Sequence, residues 1–463
     1  MTENVPYPQK GGNGVPDIRD QFRALTNQSQ RLQEEDVERA EEILKIISKN
    51  PHPSAVVSEH LDEIIGLLPA ILTVNIRQAS RDDNPELVHS LQDLLAEFHP
   101  HLTKVAEMAS NQDPWKSRPA SYFPRILFVG SEDESSSYRQ KFPATALKAL
   151  GCQTTITSSF PLDHIKEFDV VIVHRPHLNQ EYLHGMAVCR ATNIPVIVDI
   201  DLDYKTIPLK HPDYDLLSLS KKETAQGYTT ALLLADQIIS PSRRLVSQLR
   251  SEGYTTFYTP PGWNKNNPLW SKSPPPRHTV NIGWLGRPGQ SEDIALIRRM
   301  VVRLMRQIPQ TTLVIGSNPE AYHLFKNFPE SRKLYLPPSR LEDFPYSLGQ
   351  IDILIAPLRK IPFNQALSDR VLMEAGARGI PWVASPIPSF TQWGQGGLFA
   401  ESLDEWYTQL HQLVINPELR SELGEQGHQK ALEREINQLA PIYLDLIDLI
   451  RWSKSPEADE KTE

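Results

Sequence analysis

Apolar and polar positions alternate in two different rhythms along the chain. From about Gln30 to Asn111 the apolar residues recur at helical spacing, as in EEDVERAEEILKIISKN, SAVVSEHLDEIIGLL and NPELVHSLQDLLAEFHPHLTKVAEMAS. Acids fill the first turn of the first of these and Pro85 opens the last, both signals of a helix start. The pattern predicts a helical accessory region over 21–118, preceded by a polar, Gly- and Pro-rich stretch (1–20) expected to be disordered. After the linker NQDPWKSRPASYFP (111–124) the rhythm changes. Short continuous apolar runs now alternate with amphipathic stretches: RILFVG, then YRQKFPATALKALG; CQTTITS; FDVVIVH, then HGMAVCRATN; IPVIVDID, then KKETAQGYTTALLLA; DQIISPS, then RRLVSQLRSEG; and FYTP. Strands that are apolar throughout, separated by helices, belong to a parallel sheet covered on both faces.

A second linker, LWSKSPPPRHT (269–279), is stiffened by its prolines, and beyond it the alternation starts again with VNIGWLG, TTLVIGS, KLYLPP, IDILIAPL and PWVAS as strands. The repeat predicts an α/β chain with two Rossmann-like domains, 119–268 and 269–435, facing a cleft and preceded by the helical region. A C-terminal helix (436–452) is expected to pack back, and the acidic end (453–463) to be a disordered tail. Ligands of such sheets bind at the carboxyl ends of the strands, so the cleft is the place to look for chemistry.

Composition narrows the class. The formal net charge is −9, which offers no broad basic field for nucleic acid. Cys152 and Cys189 are the only cysteines, too few for a disulfide framework or a zinc-ligand set. No basic start with an apolar run and no long apolar stretch is present, so a cytoplasmic protein without a transmembrane segment is expected. Peripheral membrane contact stays open. The helical region reads most simply as a packed accessory bundle, and otherwise as a surface that docks a partner or self-associates.

The stretch PFNQALSDRVLMEAGARGIPWVAS (362–385) joins the strand IDILIAPL to the strand PWVAS. Ser368 and Asp369 are good N-cap residues, and Gly379 stops the helix. The helix start therefore lies at a strand's carboxyl end, where free N–H groups and the helix dipole suit a phosphate. Small residues Ala375, Gly376 and Ala377 would let the helix lie close to the sheet. Glu374 reads either as a solvated helix acid or as an acceptor for ribose or sugar hydroxyls. His174 and Arg175 follow directly on FDVVIVH; the histidine reads equally as a strand-end cap. Tyr138 and Arg139 open the first helix of the domain, where the arginine would hold a phosphate or an exposed carboxylate.

The segment DIDLD places Asp199, Asp201 and Asp203 at the end of a strand. An EF-hand is excluded, since Tyr204 stands where glycine is needed and Lys210 where the bidentate acid belongs. A D-x-D metal site and a phosphatase-type D-x-D remain as minor readings. Cleft-lining acids that order the loop YKTIPLKHP are the main one.

In order and spacing, these pieces resemble the GT-B glycosyltransferases, in particular the retaining family-4-like group. VNIGWLGRPG resembles the first strand and turn of that group's donor domain, and the 362–385 stretch resembles its nucleotide-sugar segment. IPVIVDIDLDYKTIPLKHP, ALLLADQIISPSRRLVSQL and TPPGWN resemble successive segments between them and the N-terminus. The similarity spans about 124–450 and leaves the helical region outside. It implies transfer of a sugar from a nucleotide-diphosphate sugar to an acceptor hydroxyl, with no obligatory metal and no cofactor beyond the donor as substrate. It implies Glu374 at the ribose, Arg287 at the diphosphate and His174 at the sugar. Gly286, Asn364, Ser368, Asp369 and Arg370 would complete the donor site, and Tyr138, Arg139, Arg175, Asp201 and Asp203 would face the acceptor. The chain also departs from the group's pattern. Ala366 replaces a second glutamate, Leu367 and Val371 replace lysines, and Glu292 occupies the place of a lysine that follows Arg287. Arg359, Lys360 and Arg370 are the cations at hand to compensate. The departures favour, as the alternative, a non-catalytic scaffold that binds a nucleotide sugar or a protein partner.

Overall fold

The computed structural model describes residues 123–131, 136–274, 276–287 and 289–453; the expectations for 1–20, 21–118 and the tail after 453 lie outside these residues. Among the described residues, twelve strands form two six-stranded sheets, parallel throughout. The first sheet runs β1 (Arg125–Val129), β2 (Gln153–Thr157), β3 (Val170–His174), β4 (Val196–Asp199), β5 (Gln237–Ser240) and β6 (Thr256–Tyr258), in spatial order 2-1-3-4-5-6. The second runs β7 (Val280–Trp284), β8 (Thr311–Gly316), β9 (Lys333–Leu336), β10 (Ile353–Ala356), β11 (Trp382–Ala384) and β12 (Gly397–Phe399), in order 12-11-10-7-8-9. Both orders reverse direction, between β1 and β3 and between β7 and β10, which opens a crevice at each switch point.

The inner strands are buried on both faces, as their unbroken apolar runs require. Helices α1 (Phe142–Ala149), α2 (Gln180–Ala191), α3 (Lys222–Leu234) and α4 (Arg243–Ser251) belong to the first domain. Helices α5 (Ser291–Gln307), α6 (Arg370–Ala377), α7 (Leu403–Ile415) and α8 (Pro417–Leu432) belong to the second. Side-chain oxygens of Asn179, Ser242, Ser402 and Asn416 cap α2, α4, α7 and α8.

The chain passes between the domains twice, at adjacent points. Trp263 N–H donates to Arg434 O, and Ile436 N–H donates back to Trp263 O, each at 3.0 Å. Beyond this crossing, α9 (Ile436–Ser453) returns to the first domain, where Tyr443, Leu446, Ile447 and Ile450 bury against Ile126, Phe128 and Ile172. In exchange, Phe363 of the second domain is buried in the first domain's core beside Tyr204, Ile207 and Leu217. No helix among the described residues is long and apolar enough to cross a membrane.

One local departure matters for the site. The sequence predicts a regular helix from Tyr138, but residues Ser137–Lys141 form a π-turn before α1 begins. Pro143 has no N–H to return to Arg139 O, and Phe142 N–H bonds instead to Ser137 O, five residues back. Such widened turns are frequent at functional sites, and this one aims the neighbouring residues Tyr138 and Arg139 in different directions.

Candidate functional site

A cavity of about 230 Å³ opens at the switch point of the second sheet. Its polar wall gathers Gly286 and Arg287 from the turn after β7 with Ser368, Arg370 and Glu374 from the start of α6. Its apolar walls are Trp284 at the end of β7, Leu341 and Phe344 from the segment that follows β9, and Phe390. The sequence pointed to the polar set but not to Trp284 or Phe390, since an apolar residue carries no local mark of a cavity. Ser317, also on the wall, holds a left-handed backbone (φ 60°) at the end of β8. Strained positions of this kind collect at binding sites.

The turn that carries Arg287 is fixed from several sides. A side chain on Gly286 would meet the Trp284 ring at 1.8 Å, so only glycine lets the backbone pass there. Arg287 N–H donates to Gln290 Oε1 at 2.9 Å, and Asn318 Nδ2 donates to Arg287 O at 3.4 Å.

Glu374 is buried at 3% exposure and is no solvated helix acid. Tyr138 Oη, from the other domain, donates to Glu374 Oε1 at 2.5 Å, and Arg370 Nε lies 3.1 Å from the same oxygen. The Arg370 guanidinium also sits over the Tyr138 ring, 4.4 Å from its centroid. Tyr138, Arg370 and Glu374 thus bridge the cleft. Tyr138→Phe is expected to cost about 1–2 kcal/mol by leaving a buried carboxylate one donor short, read from urea unfolding; an unchanged midpoint would refute the bridge. Within the small face of α6, Ala375 and Ala377 share a core cluster with Leu354, Trp382 and Ala384 of the sheet, while Gly376 has a different use. Gly376 abuts α8, where an added Cβ would lie 2.4 Å from Gly427 O, so the close approach is helix to helix.

The other expected residues have internal partners. Asn364 donates from Nδ2 to Asp293 Oδ1 and to Arg359 O, each at 3.0 Å, and thereby orders the loop behind the cavity. Asp369 stands at the N-cap position of α6 but caps nothing. It accepts from Arg434 Nη2 at 3.0 Å, and burial raises its pKa against the pull of Arg434. Arg139 is buried and makes paired bonds to Asp199, Nε to Oδ2 and Nη2 to Oδ1, each at 2.7 Å. It also donates to Thr259 O and Oγ1. This interior pairing takes the place of the expected acceptor phosphate, and it closes Asp199 (0% exposed) to any nucleophilic role of the phosphatase kind. Asp203 accepts from Lys205 N–H and Thr206 Oγ1 and so orders the loop after β4.

His174, Arg175 and Asp201 form a cluster at the carboxyl ends of β3 and β4. Arg175, held at φ 51°, donates through Nε and Nη2 to the two oxygens of Asp201 at 2.9 and 2.6 Å. Tyr204 Oη donates to Asp201 Oδ1 at 2.6 Å, and His174 Nε2 lies 3.5 Å from Oδ2. Beside them His177 packs edge-on against Tyr204 and Tyr228; burial, with Arg175 adding to it, pushes its pKa down to about 3 and keeps it neutral. Burial alone would raise the Asp201 pKa, but the charge of Arg175, with the neighbouring His174 adding to its pull, outweighs it and holds it well below the ordinary value. A depressed carboxylate stabilises the fold above its unfolded pKa and loses that contribution as pH falls toward its folded pKa. Urea unfolding from about pH 6 down to pH 3 should therefore show wild type losing stability more steeply than Asp201→Asn; parallel curves would contradict the assignment.

At the position where the resemblance leads one to expect a lysine, Glu292 accepts from Lys210 of the first domain at 2.6 Å and from Arg359. Asp293 beside it accepts from Arg359 N and Nε at 3.0 Å each. Lys360 pairs with Glu401. The cations at hand near the cavity thus carry carboxylate partners of their own.

No family model matches the chain, and no curated protein matches it in sequence. Solved structures do match. A glycosyltransferase from Rickettsia africae superposes with a TM-score of 0.54 at 12% identity, covering 72% of this chain and 100% of that one. Sucrose-phosphate synthase from Thermosynechococcus elongatus gives 0.52 at 15% identity, with 72% and 100% covered. HepE from Anabaena, solved with UDP and glucose, gives 0.51 at 13%, with 70% and 99% covered. Together with the two facing parallel sheets, these likenesses establish the GT-B fold.

Proposed function

We propose that the protein is a glycosyltransferase that moves a sugar from a nucleotide-diphosphate sugar to an acceptor hydroxyl. The observation that carries this reading is the convergence of Arg287, Ser368, Arg370 and the buried Glu374 on one cavity at a sheet's switch point. The ribose diol would bond to Glu374, sharing it with Tyr138 and Arg370 or displacing the Tyr138 hydroxyl. The base would lie among Trp284, Leu341, Phe344 and Phe390. The diphosphate would lie toward Arg287 and the start of α6, where a fixed cation stabilises the charge that develops on the leaving group. The sugar would project to the Arg175–His174–Asp201 cluster across the cleft. Retention of anomeric configuration is implied by the resemblance to family-4-like enzymes. HepE was solved with UDP and glucose, which makes UDP-sugars the first donors to test.

The second reading, a scaffold that binds a nucleotide sugar without turning it over, is favoured by Glu292, which occupies the expected lysine's place and holds Arg359. The test is incubation of the protein with UDP-, GDP- and ADP-sugars, with nucleotide release and thermal shift measured in parallel. Release from one donor class supports the transferase, and a shift without release supports the scaffold. No shift and no release from any donor would remove both.

A further inference from the structure

We propose that the outer side of the second domain carries a separate site for a phosphorylated group, in the pocket between α5 and residues 324–328. This inference does not depend on the reading of the cleft. The pocket has a volume of about 290 Å³ and is rimmed by Arg298, Arg299, Arg303 and Arg306. All four lie on the later turns of α5, whose sequence from Ile294 to Gln307 contains no acid. The helix dipole accounts for a cation in the last turn, but not for four along one helix. Arg299 and Arg303, four residues apart, repel one another, a small cost to the bare helix.

A solvated basic face would leave these side chains loose, and here two of them are held in place. Arg298 Nη1 donates to Leu324 O at 3.0 Å, and the Arg303 guanidinium stacks 4.8 Å from the centre of the Tyr407 ring. A fifth cation, Arg332, lies over the ring of the pocket residue Phe328 and donates to oxygens of Met305, Ile308 and Thr311. Among the described residues none of the five has a carboxylate partner. Among the described residues, a positive field without a paired carboxylate therefore stands in a protein whose formal net charge is −9. Phe325 and Phe328 floor the pocket and Asn327 adds a polar side chain. Preordered guanidinium groups around a concavity suit the fork-shaped recognition of phosphate oxygens. The pocket holds one phosphorylated group rather than a polymer track, and that group would be either a free phosphate compound or a lipid headgroup.

The experiment separates the two sources. Inorganic pyrophosphate is titrated into the full chain at low salt by calorimetry, and co-sedimentation is measured with vesicles of equal parts phosphatidylcholine and phosphatidylglycerol. Arg299→Glu/Arg306→Glu is compared with wild type, and Arg287→Gln serves as the cleft control. A free phosphate ligand is assigned if pyrophosphate binds roughly tenfold or more weakly to the double variant, while Arg287→Gln keeps that binding. A lipid headgroup is assigned if vesicle binding, lost on adding salt, disappears in the double variant. The proposal is overturned if neither probe binds wild type, or if the double variant binds both as wild type does. Circular dichroism confirms the variant's fold, and Arg299→Gln/Arg306→Gln replaces it should the charge reversal unfold the chain.

Discussion

Glu374→Gln is expected to weaken binding of the donor by roughly 100-fold, about 3 kcal/mol, and to leave the fold in place. The carboxylate is buried, so its hydrogen bonds to a sugar diol would be charge-assisted and poorly screened by water. Glutamine keeps an oxygen to accept from Tyr138 and keeps the volume, but it loses the ion pair with Arg370. Arg370 retains its seat on the Tyr138 ring and its exposure to the cavity, so the cost to stability should stay at about 1–3 kcal/mol, within the usual margin of a folded domain. Calorimetric titration with whichever nucleotide sugar shifts the wild type's melting gives the affinity, and far-UV circular dichroism checks the fold. Binding within about threefold of wild type would sink the assignment of Glu374 to the donor, even if turnover fell.

The architecture was legible because the core of a parallel strand buried on both faces must be apolar, as ILFV, VVIV, II and ILIA are within β1, β3, β5 and β10. The strand Gly397–Phe399 escaped because a glycine and two apolar residues carry no rhythm. Part of the site was legible for a related reason. Gly286, Arg287, Ser368 and Arg370 follow strands in the sequence, and strand ends in such sheets share one edge. Asn364, Asp369, Arg139 and Asp203 also stand near strand ends, yet their polar groups meet protein rather than cavity. Nothing local distinguishes these cases, since the partners of Arg139 lie 60 and 120 residues away. The loss of the expected lysine at Glu292 was readable in sequence. Its consequence, a tie from Glu292 to Lys210 of the other domain, needed the third dimension.

Arg139→Leu should be among the costliest single changes in the chain, about 3–5 kcal/mol of folding free energy. The side chains of Arg139 and Asp199 are 3% and 0% exposed, and the pair is joined by two parallel bonds of 2.7 Å. Burial alone would favour a neutral Arg139, but the charge of Asp199 outweighs it and keeps the guanidinium protonated. Without the arginine, Asp199 is left as an uncompensated charge at the end of β4. Thr259, just before the crossing to the second domain, loses donors to both of its oxygens. Tyr443 of α9, buried close to Arg139, loses that neighbour as well. The defect would therefore reach the sheet, the crossing and the C-terminal helix together. Arg139→Leu combined with Asp199→Leu removes both charges, and should recover a large part of the loss, because desolvating an ion pair is itself expensive. A double-mutant cycle followed by urea unfolding measures the coupling between the two residues. If Arg139 served an acceptor phosphate instead, Arg139→Leu would spare stability and lower only turnover. A loss below about 1 kcal/mol would decide for that role, and a loss of several with strong coupling decides for the buried pair.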